Sequence, residues 1–228
     1  MRRAKRIRTL CGELLPCKSF ADVGCDHGYC TQYMLERELC GSAVFSDISA
    51  ASLAKAERLL EPYVRAGRAR GVCCAGLEQV PRDTEQVLIA GMGGDEIADI
   101  LAAGFLPPVL VLQPMRNTRR VREFLLANGY AVTRDYTFRD GKFYDALRAE
   151  RGKADAERQG RERAYGEKEL AFGYDNVHAP TADFAAWLEN EIQKCARRIA
   201  AARRGVPLLD ERLKLLREVY DETLRHLR

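Results

Sequence analysis

Phe20-Ala-Asp-Val-Gly-Cys-Asp-His-Gly-Tyr29 is the stretch from which the rest of this chain can be read. Ser19 to Val23 predicts a short apolar strand that breaks at Gly24 and again at Gly28. Beyond Gly28 a helix-like pattern runs through Gln32, Tyr33, Met34, Leu35 and Leu39. Strand, glycine-rich turn and helix in that order form a nucleotide-type ligand site at the carboxyl edge of a parallel sheet. Glycine lets the backbone approach a ligand and take positive φ, and the helix start offers unpaired N–H groups.

The spacing speaks against a dinucleotide. That fingerprint carries three glycines, whereas Asp26 stands between Gly24 and Gly28, and its carboxylate would repel a pyrophosphate. Asp22 and Asp26 suit a ligand bearing an amine. A further acid, Asp47, closes the predicted second strand Ala43-Val-Phe-Ser-Asp47, about 20 residues past the turn, where ribose hydroxyls are expected. S-adenosylmethionine has both a ribose and an ammonium-bearing amino-acid end. An ordinary strand-turn-helix without a ligand is the bland alternative.

Working outward, Arg2 to Leu15 reads as a basic helix, with Ile7, Leu10, Cys11 and Leu14 on one side and Arg3, Lys5, Arg6 and Arg8 around the other. It would pack over the sheet as a lid with its arginines outward. After the second strand, Ser49 caps a helix over 51–65, with Leu53, Ala56, Leu59 and Leu60 inward. Strands are expected at 71–75, 86–90 and 109–113, with helices at 95–101 and 116–126. Asp140-Gly141 predicts a hairpin joining strands 130–137 and 142–150. Gly91-Met92-Gly93-Gly94, with almost no side-chain bulk, falls on the same edge as the first turn and would let a flat substrate approach. Arg116, Arg119, Arg120 and Arg122 form a basic run near that edge, able to hold phosphates or merely to face solvent.

Past Arg151 the composition turns charged, reading as a linker or exposed helix to about residue 169, then an irregular stretch around Phe172-Gly-Tyr174 and Pro180. Two amphipathic helices follow, separated by Gly205-Val-Pro207, and should fold back on each other. Lys194, Arg197, Arg198, Arg203 and Arg204 give that hairpin a basic tip. The expected division is 1–150 and 151–228.

The chain's 228 residues, 46% hydrophobic and 31% charged, suit a globular fold with a real core. Net charge is +4, made of +5 in residues 1–20, −3 in 21–150 and +2 beyond. The basic ends fit a polyanionic partner. No apolar run approaches a membrane span, and no signal peptide follows the N-terminal arginines, so a cytoplasmic protein is expected. The eight cysteines include no C-x-x-C pair and the three histidines lie far apart, so reduced thiols are expected and no metal.

Ala21-Asp-Val-Gly-Cys-Asp-His-Gly-Tyr29, Ile89-Ala-Gly-Met-Gly-Gly94 and Leu112-Gln-Pro114 together resemble the bacterial tRNA (adenine(22)-N(1))-methyltransferases, over nearly the whole chain. The resemblance implies an α/β fold, a Rossmann-like class I methyltransferase sheet with helices on both faces, plus a C-terminal α-helical coiled-coil hairpin. It implies S-adenosyl-L-methionine as cofactor and tRNA as partner, methylated on an adenine ring nitrogen in the D-arm. The cofactor would be held by Asp22, Gly24, Cys25, Asp26, His27 and Gly28 of the first loop, by Asp47 and Ile48, by Gly76 and Leu77, and by Gly91 and Met92. Gly93, Gly94, Gln113, Pro114, Arg116, Arg119 and Arg120 would meet the substrate, and Asp26 is the candidate catalytic carboxylate. A monomer is expected. Two other readings are open: a methyltransferase for another RNA or a small molecule, and a non-catalytic tRNA-binding protein with a vestigial pocket.

Overall fold

The computed structural model describes residues 4–151, 163–202 and 204–228. In chain order it builds α1 (Lys5–Glu13), β1 (Cys17–Val23), α2 (Tyr29–Glu36), β2 (Cys40–Asp47), α3 (Ala50–Arg65), β3 (Ala69–Cys73), β4 (Gln86–Ala90), α4 (Gly94–Ala103), β5 (Val109–Gln113), α5 (Thr118–Ala127), β6 (Ala131–Asp140) and β7 (Lys142–Glu150). Four further helices follow: α6 (Glu167–Phe172), α7 (Tyr174–His178), α8 (Ala182–Ala201) and α9 (Pro207–His226). The seven strands form one sheet in the order β3-β2-β1-β4-β5-β7-β6. β1 to β5 pair in parallel, while β7 runs antiparallel to both β5 and β6. This is the expected α/β architecture, with the hairpin at Gly141 and the paired helices at the C-terminus in place.

Successive side chains of a strand point to opposite faces, and both faces of this sheet are covered. Phe20, Phe45, Leu88 and Val111 pack with Leu10, Met34 and Leu60 on one side. Their strand neighbours Ala21, Ile89, Leu110 and Leu112 pack with Ile97, Val121 and Leu125 on the other. Each large apolar side chain so buried contributes about 1.5–3 kcal/mol. A separate cluster joins Phe172, Phe184, Leu188, Cys195, Leu216 and Val219, binding α6, α8 and α9 together. The described cysteines are free thiols, and burial pushes Cys17 up to about 12 and Cys40 up to about 11.

Several boundaries differ from the sequence reading, each for a local reason. α2 ends at Glu36 rather than Leu39, because Glu38 takes φ +55 and the Leu39 N–H turns back to Met34 O at 2.8 Å. α5 begins at Thr118 rather than Arg116, because Asn117 adopts φ +51 and donates through Nδ2 to Asp95 Oδ1 at 2.8 Å. β3 lies two residues earlier than expected, at 69–73. The stretch around Gly173 is two short helices meeting at φ +94, not irregular chain. The expected linker falls largely on 152–162, and with Arg2, Arg3 and Arg203 it lies outside the described residues. Ser49 does cap α3, accepting from the Ser52 N–H at 3.2 Å.

The C-terminal segment is tied to the sheet by polar contacts. Arg122 on α5 and Asp135 on β6 form a buried two-pronged pair, both contacts 2.9 Å, with Tyr165 OH adding a third bond to Asp135 at 2.8 Å. β6 is one of the two edge strands, and three alternate N–H groups along it are met by side chains. Asp135 donates to Asp175 at 2.7 Å, Thr137 to Asn176 at 2.9 Å and Arg139 to Asp183 at 2.9 Å.

Candidate active site

The winding direction reverses between β1 and β4, so the loops leaving their carboxyl ends diverge and open a crevice. A cavity of about 490 Å³ occupies it, within the range for small ligands. The first loop is pinned to its neighbour strand. Gly24 and Cys25 N–H groups both donate to Ser46 O, at 2.8 and 2.9 Å, and Asp26 N–H donates to Asp47 Oδ2 at 3.1 Å. Asp47 Oδ1 accepts from the Ser49 N–H at 2.8 Å, so one carboxylate orders both loops that end the first two strands. The turn needs positive φ at Gly24 (+71), Asp26 (+48) and Gly28 (+70), and aspartate is among the few non-glycine residues that tolerate it.

The second glycine loop meets the first. A Cβ at Gly24 would collide with the Met92 side chain, so the two loops touch. At Gly91, φ +86, a Cβ would lie 3.0 Å from Arg6 Nη2. Backbone bonds then zip this loop to the one after β5: Gly91 N–H to Gln113 O at 3.0 Å, Met115 N–H to Met92 O at 2.8 Å and Gly94 N–H to Arg116 O at 2.9 Å.

Asp22 sits at the cavity floor, 5% exposed, accepting from Thr31 Oγ1 at 2.9 Å. Burial lifts its carboxyl to about 7, against the opposing pull of the Thr31 bonds, with the nearby Asp47 charge adding to the rise. Asp26 is at the rim, its side chain 66% exposed and 2.8 Å from His27 Nδ1. Ile48, 78% exposed, offers an apolar wall that water would otherwise cover.

Of the residues singled out from sequence, Asp22, Gly24, Cys25, Asp26, His27, Asp47, Ile48, Gly76, Gly91 and Met92 line this cavity. Gly28 lies behind it against Ala56 and Leu60 of α3, and Leu77 is in the core beside Gly104. The proposed substrate residues lie outside it. Gly93 runs under the Arg116 side chain, and Gly94 is packed on the 116–117 backbone. Pro114, Arg116 and Arg119 line a second cleft of about 790 Å³, shared with α8 and α9. Arg119 is engaged by Glu123 at 2.8 Å and Glu167 at 2.9 Å, and Arg120 is exposed on α5. Lys194 at the hairpin tip pairs with Glu191 at 2.8 Å, while Arg198 and Arg204 are exposed.

The lid helix is in place, with one correction. Arg6 does not face outward: it is half-buried and enters the cavity, because Gln113 Oε1 accepts from its Nε at 2.7 Å and the Tyr144 ring lies 5.4 Å from its guanidinium carbon. Arg6, Tyr29, Glu96 and Ile100 also line the cavity, and the sequence reading does not place them there. Only the helical period that turns Ile7 and Leu10 inward signals α1's closeness to the site.

The residues present fit S-adenosylmethionine: two glycines whose Cβ would fill the cradle, acids at floor and rim, and an apolar wall. Among the described residues no group of three or more His, Cys, Asp or Glu could hold a metal, and no helix is long and apolar enough to cross a membrane.

Comparison with known proteins agrees with this geometry. A family model described as "Methyltransferase domain" matches residues 3–147. The tRNA (adenine(22)-N(1))-methyltransferase of Bacillus subtilis (strain 168) is 31% identical over 169 residues, which span 68% of this chain and 68% of that one. The crystal structure of the B. subtilis tRNA methyltransferase TrmK superposes with a TM-score of 0.79 at 27% identity, covering 96% of this chain and 99% of that one. TrmK of M. capricolum, solved with S-adenosylhomocysteine, has the same fold, with a TM-score of 0.84 at 18% identity over 98% of this chain and all of that one.

Proposed function

The chain belongs to the family of tRNA (adenine(22)-N(1))-methyltransferases, and from that premise we propose that it methylates the N1 ring nitrogen of an adenine in the D-arm of tRNA, position 22, using S-adenosyl-L-methionine. The observation that carries the reading is the meeting of the 24–28 and 91–94 loops at one cavity, with the acids of the first loop on it and the β5 loop hydrogen-bonded alongside.

When bound, the cofactor supplies an electrophilic sulfonium methyl. Asp22 and Asp47 would hold its amino-acid and ribose ends, and Ile48 would cover its base. Adenine N1 carries a free lone pair at neutral pH, so no general base is required. The protein's main task is alignment, worth up to about 7–11 kcal/mol in favourable intramolecular reactions. The 91–94 loop borders the cavity, but Arg6 lies over Gly91, Arg116 over Gly93 and the 116–117 backbone against Gly94, so a base would approach past the Arg6 and Arg116 side chains rather than over bare glycine. Asp26 at the rim would favour the positive charge that develops on the methylated base. Unstacking the target nucleotide from folded tRNA costs a few kcal/mol. Arg116 and Arg120 would offset part of this through phosphate contacts; Arg119, tied to two glutamates, would contribute less.

The same proposal assigns chemistry to residues 1–150 and RNA support to 151–228, in a cytoplasmic monomer. Its test is incubation with labelled S-adenosylmethionine and unmodified tRNA, followed by nucleoside analysis. The expected product is 1-methyladenosine, absent when the adenine at position 22 is replaced; label on another nucleoside, or none, refutes the reading.

A further inference from the structure

Arg6 is the only lysine or arginine among the described residues that line the 490 Å³ cavity, which four acidic residues, Asp22, Asp26, Asp47 and Glu96, also line. Its placement is enforced from several sides. Its N–H is held by Asp140 Oδ2 at 2.8 Å, and the preceding Lys5 pairs with Asp183 at 3.1 Å, which fixes the start of α1. Its Nε is committed to Gln113 Oε1. That oxygen is itself directed, because Gln113 is fully buried and its Nε2 donates to Pro114 O at 3.0 Å. The guanidinium therefore lies over Gly91, the one place on the second loop where a side chain would obstruct it. A half-buried cation that lines a ligand cavity, with its Nε anchored and its Nη2 beside Gly91, is suited to receive a small anion.

Building on the methyltransferase reading, we infer that Arg6 receives the carboxylate of the cofactor's amino-acid end, with Gln113 as the residue that positions it. The donor ligand carries an ammonium and a carboxylate on one carbon, and the cavity supplies acids for the first and this single guanidinium for the second. An RNA phosphate is the less suited occupant, because Arg6 is turned inward beneath α1 while Arg116 and Arg120 are exposed. Arg6 thereby makes α1 part of the binding site, and the tie from Lys5 to Asp183 connects that helix to α8.

The test is calorimetric titration of the full chain with three probes: S-adenosylhomocysteine, its decarboxylated analogue, and 5′-methylthioadenosine, which lacks the amino-acid end. The native protein should prefer the first over the second by about 10- to 100-fold, the range for a charge-assisted hydrogen bond. Arg6→Gln should bind those two equally while keeping its affinity for the third. Arg6→Lys should keep part of the preference, which decides the matter if Arg6→Gln has lost the third probe through misfolding. Undiminished preference in Arg6→Gln, or no preference in a folded Arg6→Lys, overturns the inference. Failure of the native protein to bind any probe refutes the methyltransferase reading instead.

Discussion

The substitution Asp22→Asn probes the buried acid at the cavity floor, and its effect can be worked out from the structure. An ordinary aspartate ionises near 3.8, whereas burial holds this one protonated up to about 7. Between those values the folded protein keeps a proton that the unfolded chain has released, so stability falls as pH rises through the window and is level above it. The window spans roughly 3 pH units at 1.36 kcal/mol each, so the full penalty is about 4 kcal/mol. The asparagine side chain does not titrate and retains an oxygen for the Thr31 hydroxyl. Any fixed cost of the new amide drops out when only the pH dependence is compared. Urea unfolding of both proteins without ligand should show the variant gaining about 2–3 kcal/mol on the native protein between pH 5 and pH 7, then a nearly constant difference to pH 8. The variant should also bind S-adenosylhomocysteine more weakly at pH 8, having lost the charge that meets the ammonium. Parallel stability curves from pH 5 to pH 8 would refute the claim that burial, rather than solvent, sets this carboxyl.

Three other outcomes are expected. Asp26→Asn should lower turnover on tRNA, read as kcat and cofactor Kd; if neither changes, Asp26 has neither the catalytic nor the cofactor role. Asp135→Ala leaves Arg122 buried without its partner and should cost about 3–5 kcal/mol in urea unfolding; a loss under about 1 kcal/mol would show that the pair is dispensable. Gly24→Ala meets both a φ of +71 and the Met92 side chain, so it should weaken S-adenosylhomocysteine binding by about 10-fold or more by calorimetry, with Met92→Ala in the same chain restoring part of it.

The central sheet was legible because its strands are short apolar runs between turn residues, and β4 and β5 fall at the predicted residues. The first glycine turn announced itself because Gly24, Asp26 and Gly28 must take left-handed backbone, which few residue types allow. What escaped was set by long-range contacts. Arg6 reads as one more surface arginine on a basic helix; only the fold brings Gln113 and Tyr144, more than 100 residues away in sequence, to turn it inward. Leu77, expected beside the cofactor with Gly76, packs its side chain in the core near Gly104, a contact that only the fold brings about. Arg119 looked free for phosphate because its partner Glu167 is 48 residues ahead.

The row of side-chain acceptors along β6 bears on how open that border of the sheet is to strand addition. An uncovered outer strand invites a foreign strand to add on, the route to fibres and swapped dimers. Here Asp175, Asn176 and Asp183 occupy every second donor, imitating a neighbour that no stranger can displace without breaking three bonds at once. The helices after residue 163 thus serve as a guard rail for the sheet, and a version cut off at the hairpin would expose an adhesive border.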